Sequence, residues 1–130
     1  MADKRAVTPP AYAETATALA MSPGILSGGF VFLNGVTGSG PDGAMPENAE
    51  TQFEAIFDKV AGVLAEAGLP LDALVETTTY HVGLRGHFDL FDAVRRRRLS
   101  APYPAWTAVE VAGLRREGAL IEMRGIARAG

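Results

Sequence analysis

The sequence contains no cysteine, no long apolar run and no excess of positive charge. Without cysteine, disulfides, thiolate metal sites and cysteine nucleophiles are excluded, which fits a reducing compartment. No stretch approaches the roughly 18 consecutive apolar residues that a membrane-spanning helix needs. The charged N-terminal residues are not followed by the apolar segment of a secretory signal. These absences predict a cytoplasmic protein without a membrane partner.

Charge and length narrow the class of protein further. The chain has 15 acidic residues against 12 basic ones, for a net charge of −3. Since nucleic acid binding requires a basic face, this balance disfavours nucleic acid as the main partner. Of the 130 residues, 48% are hydrophobic, which is enough for the core of one domain but not of two. We therefore predict a single domain over residues 1–130, with a loosely ordered arm at 1–14.

Short strands and tight turns are predicted before the first long helix. Residues 17–21 are predicted as a short strand, and residues 25–27 and 30–34 as a hairpin around the pair of glycines between them. The glycine-rich segment 35–43 is not followed by the Lys-Ser/Thr pair of a phosphate-binding loop. We interpret this segment as a flexible surface loop.

Two helices and three further strands are predicted in the rest of the chain. Apolar residues at a spacing of three and four predict a helix over 48–67, with Asn48 as its N-cap and Gly68 as its stop. A second helix is predicted over 87–99. The predicted strands are 74–82, 106–111 and 120–127. This order predicts an α+β fold with one mixed sheet and two helices on one face.

Side chains that commonly carry catalysis are few. The chain has two histidines, His81 and His87, whose spacing does not suit a metal ion, so no metal or other cofactor is predicted. His81 lies on a predicted strand and suits either a hydrogen-bonded structural role or acid–base catalysis. The four arginines at 95–98 suit the C-terminal end of a helix dipole better than an RNA-binding patch. Trp106, the sole tryptophan, suits core packing or one wall of a ligand pocket.

The order of several segments resembles the RidA/YjgF family over roughly residues 17–128. The segments that carry the resemblance are 30–35, 64–68, 76–84, 103–114 and 119–127. The resemblance implies a chorismate-mutase-like fold and a homotrimer with a barrel-like core, outer helices and ligand clefts between subunits. Many members hydrolyse reactive imines or enamines, such as 2-aminoacrylate, to ketoacids and ammonia without a cofactor.

The sequence departs from the active deaminases of that family at the residues that contact substrate. Trp106 stands where they have an arginine that binds the substrate carboxylate, and an indole cannot make that bidentate contact. Arg124 stands in place of a glutamate, Asp92 of an asparagine, and Ala108 of a cysteine. These changes disfavour simple 2-aminoacrylate deamination by the usual arrangement.

We expect Arg124 to lie on the strand beside Trp106 and to restore carboxylate binding from the other wall of the cleft. Glu122 shares the strand face of Arg124, so the pair suits either a ligand site or an interface salt bridge without ligand. The predicted substrate-binding residues are Arg124, Trp106, Asn34, Gly35 and Thr107, and the predicted catalytic residues are Asp92, Glu122 and His81.

Two functions follow from these residues, and a third is disfavoured. The first is hydrolysis of an enamine or imine of a small organic acid larger than 2-aminoacrylate, in a cleft between the subunits of a homotrimer. The second is a non-catalytic trimer that binds or senses small carboxylates. An RNA-binding role is the disfavoured third, because it requires a basic surface and a salt-sensitive affinity.

Overall fold

Residues 3–130 are described by a computed structural model and contain seven β-strands and three α-helices. The strands are β1 Arg5–Val7, β2 Gly24–Ser27, β3 Phe30–Leu33, β4 Val36–Thr37, β5 Leu74–His81, β6 Ala105–Glu110 and β7 Ile121–Arg128. The helices are α1 Ala13–Leu19, α2 Ala49–Glu66 and α3 Leu84–Arg98. No helix in this part of the chain is long and apolar enough to cross a membrane.

The strands form one mixed sheet in the order β1-β2-β3-β7-β5-β6, and β4 also pairs with β7. Only β5 and β6 run parallel among the described strand pairs, because α3 connects them as a crossover. Burial alternates along β7, where Ile121, Met123 and Ala127 are buried while Arg124 and Arg128 are exposed. The sheet therefore has a covered face and an open face. The predicted mixed sheet with two helices on one face is confirmed.

Helices α2 and α3 cover one face of the sheet with their apolar sides. Eight apolar side chains of these helices are at most 3% exposed and pack in one core with residues of β3, β5 and β7. The eight are Phe53, Ile56, Phe57, Val60, Val63, Leu64, Phe91 and Val94. Asn48 Oδ1 accepts from the Thr51 backbone N–H at 2.9 Å and caps α2. At the other end the Leu69 N–H donates to the Leu64 carbonyl at 2.8 Å, and Gly68 adopts the left-handed conformation at φ +77°. The predicted helix 48–67 is confirmed as α2.

The N-terminal third differs from the prediction in two places. Residues 17–21, predicted as a strand, instead contribute to α1 and its end. The alanines of this segment favour a helix, and its threonines alone suggested a strand. Of the predicted arm 1–14, residues Arg5–Val7 pair with β2 and Val7 enters the core, because β2 leaves a strand edge to be covered. Residues 1–2 lie outside the described part of the chain.

The glycine-rich segment 35–43 is partly buried, which contradicts the prediction of a flexible surface loop. Val36–Thr37 forms β4 against β7, and Thr37 and Ser39 are buried. Gly38 lies against the backbone of α2 at Gln52, and a Cβ at residue 38 would collide there. The glycine is therefore needed for close packing. The second helix also starts earlier than predicted, at Leu84, after Gly83 in the left-handed conformation.

Candidate functional site

Strand β5 lies between β6 and β7, so the expectation that Trp106 and Arg124 lie on neighbouring strands is wrong. Trp106 pairs with Thr77 of β5, and Arg124 pairs with Thr78. Because successive residues of a strand point to opposite faces, Trp106 lies on the covered face and Arg124 on the open face. Within one chain the two side chains therefore cannot share a cleft, and only a second copy of the chain can bring them together.

A chain of polar side chains runs beneath α3 on the covered face. Trp106 Nε1–H donates to Thr79 Oγ1 at 2.9 Å, and Thr79 Oγ1 lies 2.7 Å from His81 Nε2. His81 Nδ1 lies 3.1 Å from His87 Nε2. Donor and acceptor in the last two contacts depend on the histidine tautomers. Thr79 and His81 are both fully buried, so this chain of hydrogen bonds satisfies polar groups inside the core.

The predicted catalytic residue His81 is closed to solvent and electrically neutral. Burial lowers the pKa of His81 to about 4, and the neighbouring His87 adds to this shift. Burial also lowers the pKa of His87. His81 is fully buried, and its hydrogen bonds support Thr79 and, through Thr79, Trp106.

Trp106 is half-buried and packed by α3. Phe88 stacks on it with ring centroids 5.5 Å apart and 6° between the planes. The guanidinium carbon of Arg95 lies 4.2 Å from the indole centroid, a cation–π distance. Arg95 was not among the residues predicted for the site, because the four arginines at 95–98 suited the end of a helix dipole. The (i, i+3) spacing of Arg95 from Asp92 was the available signal.

Asp92 is held by the arginines of its own helix. Its Oδ1 accepts from Arg95 at 2.8 Å and 3.1 Å, and its Oδ2 accepts from Arg96 at 2.9 Å. The hydrogen bond from Arg95 lowers the pKa of the Asp92 carboxyl, so the group stays ionised. Asp92 lies close to Trp106 through Arg95, on the covered side of the sheet, and away from Arg124.

The open face carries the other predicted residues in a polar row across three strands. Thr78 of β5 pairs with Thr107 of β6 on one side and with Arg124 of β7 on the other. In the next row, Tyr80 of β5 pairs with Glu122. Thr78 and Tyr80 were not predicted as site residues, because their pairing with Arg124 and Glu122 depends on strand order.

Glu122 and Arg124 share the open face, but they form no ion pair. All salt bridges within residues 3–130 involve the four arginines of α3. The Glu122 carboxylate lies instead against Gly35, where a Cβ would require the carboxylate to move. Arg124 is exposed, and its guanidinium has five N–H donors. The open face therefore offers a cation for an anionic group and a nearby carboxylate beside Gly35.

Asn34 lies at the edge of this face, after β3. Its Nδ2 lies 3.5 Å from Met21 Sδ and 3.5 Å from the Gly35 carbonyl. Asn34 and Gly35 also line a cavity of about 540 Å³ that extends toward Lys59 of α2. Residues 3–130 contain no cluster of three or more His, Cys, Asp or Glu side chains suited to a metal ion.

The family model described as Endoribonuclease L-PSP matches residues 12–129. The RutC family protein YjgH of Escherichia coli (strain K12) is 35% identical over 108 residues, which cover 82% of this chain and 81% of YjgH. The solved structure of protein YJGH superposes with a TM-score of 0.88 at 30% identity, covering 98% of this chain and 97% of that one. RidA from the Antarctic bacterium Psychrobacter sp. PAMC 21119 gives a TM-score of 0.80 at 26% identity over 98% of this chain and 99% of its own.

The sheet, its helices and these matches define an α+β protein of the chorismate-mutase-like fold. The chain belongs to the RidA/YjgF family. The resemblance found in the sequence is thereby confirmed.

Proposed function

We propose that this chain is an imine or enamine hydrolase for a small organic acid larger than 2-aminoacrylate, and that it works in a cleft between the subunits of a homotrimer. Family membership supports the reaction class. The observation that carries the proposal is the exposed Arg124, set in a polar row with Thr78 and Thr107 and followed by Glu122 in the next row. An unpaired guanidinium on a polar part of the surface suits a carboxylate ligand.

Exposed apolar side chains on the open face support the proposed trimer. Phe32 is 43% exposed there and pairs with the half-buried Ile126 of β7. An aromatic and an aliphatic side chain side by side on an exposed face favour coverage by another copy. In such a trimer, Trp106 on the edge strand β6 would meet the open face of the next subunit. Arg95 and Asp92 would accompany it as the second wall.

The chemistry assigned to this cleft is hydrolysis at an iminium carbon. Arg124 binds the substrate carboxylate, and Thr107 and the Gly35 backbone orient the rest of the molecule. Glu122 accepts a proton from water as the water oxygen bonds to the iminium carbon. Glu122 then gives this proton to the nitrogen, which makes it a leaving group. As the carbon–nitrogen bond breaks and ammonia leaves, the hydroxyl group loses its proton to Glu122 and the carbon–oxygen double bond of a ketoacid forms. Trp106 supplies a flat wall that suits an unsaturated substrate.

The test measures ammonia release from imines of increasing size, generated in place by a pyridoxal-phosphate enzyme. We expect Arg124→Ala to lower kcat/KM by about 100-fold, because a charge-assisted contact in the transition state is lost. Arg128→Ala is the matched control and should leave kcat/KM unchanged. Arg128 lies on the same strand and face, and its guanidinium carbon lies 5.2 Å from the centroid of the Phe30 ring. Equal activity in the wild type and Arg124→Ala would contradict the assignment.

A second candidate function is a non-catalytic trimer that binds small carboxylates. It is favoured by the state of two predicted catalytic groups, since His81 is buried and neutral and Asp92 is held by two arginines. Ligand binding that depends on Arg124, together with no ammonia release from any imine tested, would establish this function in place of the first.

A further inference from the structure

We infer that the cavity between α1, α2 and the segment after β3 binds a small organic monocarboxylate, whose charged group is held by Lys59 and Arg116. The cavity has a volume of about 540 Å³, within the range of small-molecule sites. The cavity shares Asn34 and Gly35 with the edge of the open face. Lys59 and Arg116 lie outside the row around Arg124, so the inference does not depend on imine hydrolysis.

Lys59 is the first of the two cations. It projects from α2 and is partly buried. Its Nζ donates to the Thr37 carbonyl and to Ser39 Oγ, both at 2.7 Å. An ammonium has three N–H donors, and the third has no acceptor among residues 3–130. These two hydrogen bonds fix the ammonium at the cavity wall with one donor remaining.

Arg116 is the second cation and comes from the segment between β6 and β7. It donates to the Gly43 carbonyl at 2.7 Å and lines the same cavity. Within the described chain neither Arg116 nor Lys59 has a carboxylate within 4.0 Å. Burial lowers the pKa of Lys59 to about 8, and the charge of Arg116 contributes. An anion bound between the two cations would favour the protonated form of Lys59 and so would oppose both effects on its pKa.

The other charged and titratable groups near the cavity leave it electropositive. Asp58 of α2 is at the rim, but its Oδ1 accepts from Arg98 at 2.8 Å. Asp42 accepts from the Ala44 backbone N–H at 2.9 Å, within its own loop. Tyr12, before α1, lines the cavity with its phenol. The Glu122 carboxylate lies against the lining residue Gly35, but it forms no ion pair with Lys59 or Arg116. No carboxylate therefore neutralises Lys59 and Arg116 within residues 3–130.

The remaining lining indicates a carboxylate with a short apolar chain. Met21, Pro23, Val36 and Val63 line the cavity beside the polar side chains of Thr15 and Asn34. Apolar groups favour burial of a hydrocarbon chain, which inorganic phosphate lacks. A short-chain organic acid fits both the cations and this wall.

The test follows binding by NMR, with butyrate and 2-oxobutyrate as probes and inorganic phosphate as comparison. We expect both carboxylates to bind more tightly than phosphate and to raise the pKa of Lys59 above 8. Since the anion binds the protonated amine, affinity should be full below pH 8 and fall above it. Arg116→Gln and Lys59→Met should each weaken binding by about tenfold.

Two control variants make the result decisive. Arg115→Gln changes the neighbouring residue, which is exposed and does not line the cavity, and it should leave affinity unchanged. Because the proposed cleft at Arg124 also binds carboxylates, the titration is repeated in Arg124→Ala. There butyrate should still raise the pKa of Lys59, which reports this cavity alone, so failure of the proposed hydrolase function would not affect the result. If Lys59→Met disturbs the segment it pins, Arg116→Gln still tests the inference. Unaltered affinity in Arg116→Gln, or phosphate binding as tight as butyrate binding, would overturn it.

Discussion

The two faces of the sheet differ in whether their polar side chains have partners within the chain. On the covered face every buried side-chain nitrogen and oxygen of residues 3–130 has a hydrogen-bond partner, and Trp106, Thr79, His81 and His87 form one connected chain. On the open face Arg124 is exposed without an ion-pair partner in the same part of the chain. Polar groups that support folding have hydrogen-bond partners within the chain, whereas a group that is available for binding, such as Arg124, is exposed and has no ion-pair partner.

The covered face should be the more sensitive to mutation, and Phe91 gives the largest expected effect. Phe91 is fully buried and its ring centroid lies 5.4 Å from those of Phe53 and His81. Phe91→Ala should lower the free energy of unfolding by about 3–5 kcal/mol, because it removes apolar contacts and leaves a cavity. Urea denaturation monitored by circular dichroism measures the change.

Phe32→Ala is the control on the open face. Phe32 is 43% exposed, so its truncation should cost less than about 1 kcal/mol in the chain's own stability. If another copy covers this face, the variant should instead make Tm more dependent on protein concentration. A loss as large as that of Phe91→Ala at high dilution would show that the open face belongs to the core of the single chain.

The buried His81 of the covered face should make stability depend on pH. The pKa of His81 is about 4 in the folded chain, against an ordinary value of 6.5. Between these values the unfolded chain binds the extra proton, so stability rises with pH across this window. The stabilisation that comes from neutral His81 is complete above pH 6.5 and is lost as pH falls toward 4. This loss lowers the free energy of unfolding by about 3 kcal/mol in all.

The measurement is urea denaturation at a series of pH values between 4 and 7 for the wild type and His81→Gln. The variant keeps a polar side chain but removes this titration, so its stability should depend less on pH in that window. Equal pH dependence in the two proteins would mean that His81 titrates normally and that the covered face admits water.

Local pattern predicted most of the fold, and strand order was the main failure. The apolar spacing of α2 and the branched residues of β5 depend on neighbouring positions in the chain, so both were recovered. The position of β5 between β6 and β7 is set by the crossover through α3, which no local pattern records. This one error placed Trp106 and Arg124 on neighbouring strands. The burial of Gly38 against Gln52 likewise depends on a contact distant in sequence.

The candidate site could be predicted only as far as residue types and local pattern allow. Family resemblance singled out Arg124, Gly35 and Trp106, because these positions differ from or match a known motif, and alternation along the strand added Glu122. Thr78 was missed, since it joins Arg124 and Thr107 only through sheet register. Lys59 was missed for a similar reason: a lone lysine in an amphipathic helix predicts a solvated charge, and its burial depends on the packing of residues 37–39.

The smallest expected effect lies on the outer surface of the helices that cover the sheet. Arg98 of α3 donates to Glu54 and Asp58 of α2, both at 2.8 Å, and its side chain is 24% exposed. Arg97 also bridges to α2 but is 50% exposed, so water and salt compete more strongly for its charge. Arg98→Met should lower the free energy of unfolding by about 0.5–1 kcal/mol at low salt, and Arg97→Met by less.

Thermal denaturation at low and high salt separates the electrostatic part of this effect from the packing part. The destabilisation by Arg98→Met should shrink at high salt but not vanish, because the Arg98 guanidinium carbon also lies 5.8 Å from the centroid of the buried Phe57. Arg97→Met should converge with the wild type, since no such ring lies beneath it among the described residues. A salt-independent loss in both variants would show that apolar packing of the arginine stems, and not charge, joins α3 to α2, which would extend the covered-face core to the outer surface of the helices.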